Sequence, residues 1–158
     1  MEAAANSAPP APLDRLLAGL QAGMLGVLSM LVWMGVVSAL ERRSFWTPEN
    51  LFATAFRPDA GLTGFGFSTL SGMALYLLLY SALGAAFAVA VTFRPLSQLR
   101  LNLLAILFGL AWYFASFQGL WKITAPLVFF LQPTQSTIVG HLIYGALLGR
   151  FHSYLPRG

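Results

Sequence analysis

Apolar positions along this chain gather into four runs that hold no charged residue. They are Leu16 to Leu40, Ala60 to Phe93, Leu101 to Trp121 and Ile123 to Gly149, with 25, 34, 21 and 27 residues. A helix needs about 20 such residues to cross the hydrocarbon layer of a bilayer. The pattern predicts an all-α integral membrane protein, a four-helix bundle with spans near 14–40, 68–92, 97–117 and 136–154. Residues 1–13 are rich in Ala and Pro, and Pro9, Pro10 and Pro12 oppose a helix there, so a disordered tail is expected. Asp14 suits the N-cap of the first span.

The connections carry their own signals. After Glu41-Arg42-Arg43, Thr47 fits an N-cap with Pro48 at the first helical position, and Pro58 marks the far limit of a short helix over Pro48 to Phe56. That helix is too short to cross a bilayer. It is expected to lie at the membrane interface beside Phe45 and Trp46, or to pack as a plain connection. Phe93-Arg94-Pro95 closes the second span, and the short turn predicts that spans two and three are antiparallel neighbours. Pro126 and Pro133 break the fourth run. A short helix or re-entrant piece over Lys122 to Leu131 is expected before the last span.

Composition supports a membrane environment. Hydrophobic residues make up 58% and charged residues 9% of the chain, against about 25% charge in a soluble domain. The net charge of +4 would suggest nucleic acid in a soluble protein. Here the basic residues flank apolar spans, so membrane lipid is the expected partner and nucleic acid is not. The absence of cysteine excludes disulfides, thiolate metal sites and thiol catalysis. Val37-Ser38-Ala39 imitates a signal cleavage site, but the run before it is too long for a signal peptide, so the first span is expected to be retained. Arg15, Arg94, Arg100, Arg150 and Arg157 fall on the side of both termini, against Arg42, Arg43, Arg57 and Lys122 on the other. This bias predicts cytoplasmic termini.

His141 is the main candidate for chemistry. An imidazole in a span should face the bundle or a cavity. It offers either an interhelical hydrogen bond or a contact to haem, quinone or another apolar cofactor. It is expected one to two turns inside the last span, at the depth of Trp33, Ser71, Tyr113 and Ser116, which makes Trp33 and Tyr113 co-candidates. His152 lies roughly 16 Å along the helix, too far to share a metal ion. Spans without central Asp, Glu, Lys or Arg argue against a proton-coupled pump, and no acid pair or HExxH set supports catalysis. Gln21 and Asn102 are candidates to bond across helices. Small-residue faces appear at Gly19, Gly23 and Gly26 and again at Gly140, Gly145 and Gly149, where helices can approach closely. Packing with itself or within a larger membrane complex is the leading expectation. An oligomeric transporter or channel is a further alternative.

Two segments carry a resemblance. Trp46-Thr47-Pro48-Glu49-Asn50-Leu51-Phe52-Ala53 resembles the W-x-P-x-N-L loop of a family of small four-span bacterial membrane proteins. Gly140-His141-Leu142-Ile143-Tyr144-Gly145, with Gly149, is similar to that family's closing H-L-x-Y-G element, and Trp112 and the Pro126 to Pro133 stretch fit its layout. The resemblance spans most of residues 16 to 150. It implies a four-span membrane fold and little else; a bacterial inner membrane is the expected location, and Trp46, Pro48 and Asn50 are the residues expected to build the interfacial loop. Members of that family carry another histidine in span two; the corresponding stretch here, MALYLLLYSALG, has none.

Overall fold

The computed structural model describes residues 11–91 and 96–156, and the described residues are helical with no strand. The helices are α1 (Pro12–Leu40), α2 (Thr47–Ala53), α3 (Phe67–Val91), α4 (Gln98–Ala115), α5 (Trp121–Thr124), α6 (Pro126–Leu131) and α7 (Thr134–Leu148). Three stretches are long and apolar enough to cross a membrane: Pro12–Leu40, Phe67–Val91 and Gln98–Thr124. The third is longer than the sequence pattern suggests. A π-helical turn over Ser116–Leu120 joins α4 to α5 without ending the helix.

Some boundaries move for local reasons. Most of the expected tail, residues 1–10, lies outside the described residues, and Pro12 and Leu13 already belong to α1. Asp14 is therefore inside the first turn rather than at the cap, where its carboxylate accepts the Ala11 N–H at 3.2 Å. Ser97 does cap α4, accepting from the Arg100 N–H. Lys122 closes the third long stretch, and only Pro126–Leu131 forms the separate short helix before α7.

Close backbone approach at glycines sets the packing. Antiparallel α1 and α3 meet at Gly19, Gly23 and Gly84. A Cβ on Gly19 would stand 2.6 Å from the Gly84 carbonyl oxygen. Gly26 lies against Tyr144 and Gly140 against Met30 where α1 meets α7. Gly109 faces the His141 carbonyl, Gly145 faces Ala105 and Gly149 faces Asn102 where α7 meets α4. The six glycines singled out in the sequence thus all serve contacts within the chain.

Helices α3 and α4 are neighbours, as expected, but meet through side chains. Their backbones do not approach as the other pairs do. Aromatic pairs fill the space instead: Phe87 with Phe108, Tyr80 with Trp112 and Tyr76 with Trp121. A ring projects several ångströms from its backbone, whereas glycine projects nothing, so this seam is wide.

The short helix α2 is a buried plug, the packed connection that was one of its two expected roles. Pro48, Glu49, Asn50, Leu51, Phe52 and Ala53 are all buried. Its backbone crosses α3 at Gly72, where any side chain would collide with the Glu49 carbonyl. Asn50 brackets this end. Its amide donates to the Thr63 and Gly64 carbonyls at 2.6 and 3.2 Å, and its carbonyl accepts the Thr69 hydroxyl at 2.7 Å. Trp46 lies half-buried between Phe45 and Phe65.

Gly109→Ala should lower stability by about 1–3 kcal/mol, because the new methyl meets rigid backbone. Gly64→Ala, with open space around it, should stay within about 0.5 kcal/mol. Unfolding in mixed detergent micelles, followed by helical circular dichroism, compares them. Equal losses would contradict the packing.

Candidate functional site

The start of α7 is sunk among its neighbours. Trp33 Nε1 donates to the Ser136 carbonyl at 2.9 Å, which sets the first turn of α7 level with Trp33. That level is seven residues below Leu40 on α1, or about 10 Å. His141 therefore comes to mid-length of the packed helices, beside Gly109 and Tyr113, rather than near one end. Tyr113 meets the ring edge-on at 5.4 Å, as its sequence position suggested. Trp33 is held one turn away by Ser136, and Ser71 bonds the Ser68 carbonyl.

His141 is fully buried, and each ring nitrogen has a partner. Nδ1 lies 2.8 Å from the Thr137 carbonyl and Nε2 lies 2.8 Å from the Tyr80 hydroxyl. A carbonyl can only accept, so in the neutral ring the proton sits on Nδ1 and Nε2 offers its lone pair. Tyr80 must then donate to Nε2. Its single proton being committed, Tyr76 is the donor across the 3.3 Å between the two hydroxyls. The result is a directed chain, Tyr76 to Tyr80 to His141 to the Thr137 carbonyl. Tyr144, three residues beyond His141, ties the same turn of α3 by donating to the Tyr80 carbonyl at 2.8 Å.

Sequence reading found His141 but not its partner. The available signal was spacing: Tyr76 and Tyr80 are four apart, as are Thr137 and His141, so each pair shares a helix face. Gln21 and Asn102 do not meet. Gln21 is exposed, and Asn102 accepts from Gln98 at 2.7 Å. Among the described residues no cluster of three His, Cys, Asp or Glu side chains is placed to hold a metal ion. His152 lies exposed in a 3₁₀ turn beyond α7, beside Phe151.

A second buried polar group lies in α2. Glu49 is enclosed, and its Oε2 has no hydrogen-bond partner. Burial pushes its carboxyl up to about 7, only partly offset by a bond to its own backbone. The folded protein thus favours the protonated acid, while the unfolded chain ionises near the ordinary value of 4.5.

No family model, curated protein or solved structure matches the chain.

Two measurements check this geometry. A double-mutant cycle of Tyr80→Phe and His141→Leu should give a coupling of roughly 0.6–2 kcal/mol, the range for hydrogen bonds between membrane helices; zero coupling would remove the bond from the account. The Glu49 linkage has a definite sign. Above about pH 4.5 the unfolded chain binds fewer protons, so unfolding becomes easier as pH rises to about 7. The slope should be at most about 1.4 kcal/mol per pH unit. Glu49→Gln should flatten it, and an unchanged slope in that variant would assign the dependence elsewhere.

Proposed function

We propose that this chain is a non-enzymatic four-span membrane protein that acts as a structural or accessory subunit, packing with itself or within a larger membrane complex. The observation that carries this reading is the closed centre: His141, the imidazole at mid-length of the described helices, has both nitrogens occupied by protein partners. Haem or quinone held by Nε2 would first require Tyr80 to release it, so the cofactor reading ranks second.

Three apolar helices suit a bilayer by length and composition. We take α7 as the fourth crossing. Its 15 residues span about 22 Å, its first turn is held to α1 by the Trp33 bond to the Ser136 carbonyl, and the Leu131 carbonyl before the break accepts from Arg43 at 2.9 Å. The Pro133 carbonyl accepts the Ser136 and Thr137 hydroxyls, so backbone at the break is met by protein side chains, as a lipid layer demands. The family resemblance and the excess of arginine at the terminal end favour a bacterial inner membrane with cytoplasmic termini.

Because the glycine faces are engaged within the chain, a partner must use another surface. Among the long helices, α4 makes close backbone contact with α7 alone. It exposes Leu103, Leu104, Leu107 and Phe114 on its outer side, and we assign the partner face there.

Purification in mild detergent followed by native mass spectrometry tests this. An oligomer or associated complex is expected, weakened by the paired substitution Leu103→Trp and Leu107→Trp. A monomer without partners, in detergent and in nanodiscs alike, would overturn the reading.

A further inference from the structure

The antiparallel pairing of α1 and α7 continues to the end of the molecule that carries both termini. Trp33 meets Ser136, Met30 meets Gly140 and Gly26 meets Tyr144. The same register brings Arg15 level with the turn that follows α7. That turn, a 3₁₀ helix over Phe151–Tyr154, packs on α1 and is anchored by buried Phe151. On the other flank of α7, Gly149 faces Asn102, and Gln98 donates to the Gly149 carbonyl at 2.9 Å. Arg100 is thereby level with Arg150. Arg15, Arg100, Arg150 and His152 come from three separate stretches of chain to one level.

The two ends of the molecule treat their cations differently. At the far end Arg43 donates to the Leu131 carbonyl and lies 3.6 Å from Glu41. Arg57 lies 3.6 Å from Asp59, and Lys122 sits over the Phe129 ring at 5.6 Å. At the terminal end the guanidinium groups of Arg15, Arg100 and Arg150 have no ion pair and no hydrogen bond among the described residues. Asp14, the acid beside them, accepts the Ala11 N–H at 3.2 Å instead. Desolvation, and then the charge of Arg15, hold the His152 imidazole below its ordinary 6.5. The protein thus gathers positive charge at this level and supplies no side chain to offset it.

The ground beside these arginines is apolar and open. Leu13 is 63% exposed, Leu16 and Leu17 next to Arg15 are exposed as well, and Leu99 beside Arg100 is 68% exposed. A guanidinium fork matches the oxygens of a phosphate, and exposed leucines match an acyl chain. The two together match a phospholipid, whereas a free anion has no use for the leucines. A zwitterionic headgroup would bring a further cation into the cluster; an anionic one would not.

We propose that the terminal end of this protein is a binding surface for anionic glycerophospholipid, whose phosphates pair with Arg15, Arg100 and Arg150 and whose acyl chains lie over the leucines beside them. The inference rests on the membrane placement of α1 and α7, not on the accessory role, so a monomer binds equally well.

The test assembles the full chain in nanodiscs of equal phosphatidylglycerol and phosphatidylcholine, releases it into a native mass spectrometer and counts the lipids retained on the protein. Phosphatidylglycerol should be retained well beyond its share of the bilayer. Arg15→Gln and Arg150→Gln should each cut that preference about five-fold, the worth of one arginine at an anionic surface. Arg42→Gln, exposed at the far end, should leave it unchanged, and excess inorganic phosphate should not displace the lipid. Equal retention of both lipids would overturn the proposal alone. So would a loss in Arg42→Gln as large as in Arg15→Gln, which would reduce the effect to net charge, or displacement by inorganic phosphate, which would mark a site for small anions. Protein that fails to enter nanodiscs would remove the membrane placement and the proposal with it.

Discussion

Backbone-to-backbone contact at glycine is the constraint on which the rest of this structure depends. Within a lipid layer there is little hydrophobic gain in bringing helices together, so they associate through close packing and interhelical hydrogen bonds. Here α1 packs on α3 and α7, and α7 on α4, at positions where a Cβ would collide with the facing chain. Those three seams fix the level of α7. Its level in turn places His141 beside Tyr80, because Gly109 lets the His141 backbone come close while Gly26 seats Tyr144.

The same constraint explains where polar groups survive. Three polar side chains near the centre are tied to backbone carbonyls that rigid packing holds in place: His141 to Thr137, Tyr144 to Tyr80, and Trp33 to Ser136. At the opposite end from the termini, Asn50 does equivalent work for the loop over 63–64 and for α3. Where glycine is missing from the seam, between α3 and α4, rings replace backbone contact and satisfaction fails at two indoles.

Much of the architecture was legible in the spacing of charges and glycines. Charge-free runs located the long helices, Pro126 and Pro133 located the break before α7, and the glycine motifs marked faces of close approach. What the motifs could not say was which helix each face meets, since a glycine face fits an internal neighbour as well as another subunit. The few residues between α3 and α4 made them neighbours but left their spacing open: connection length limits how far two helices can separate, but side-chain size decides how near they come. The burial of α2 was one of two open readings because Phe52 and Leu51 suit a membrane surface as well as a core. Gly72, which admits the α2 backbone, sits in a run that otherwise reads as ordinary span. His141 was visible as a lone imidazole, yet its depth depended on how far α7 is sunk, which only Trp33 and Ser136 reveal.

The central claim is that α7 crosses the same layer as the three longer stretches. The chain has no cysteine, so single cysteines report without background. Gly64, Ser97 and Ser153 are exposed positions in successive connections and beyond α7. Labelling of each single-cysteine variant by a membrane-impermeant maleimide in sealed vesicles of known orientation decides the matter. The account predicts that Ser97→Cys and Ser153→Cys react from one side and Gly64→Cys from the other. Reaction of Ser153→Cys from the same side as Gly64→Cys would mean that α7 turns back without crossing.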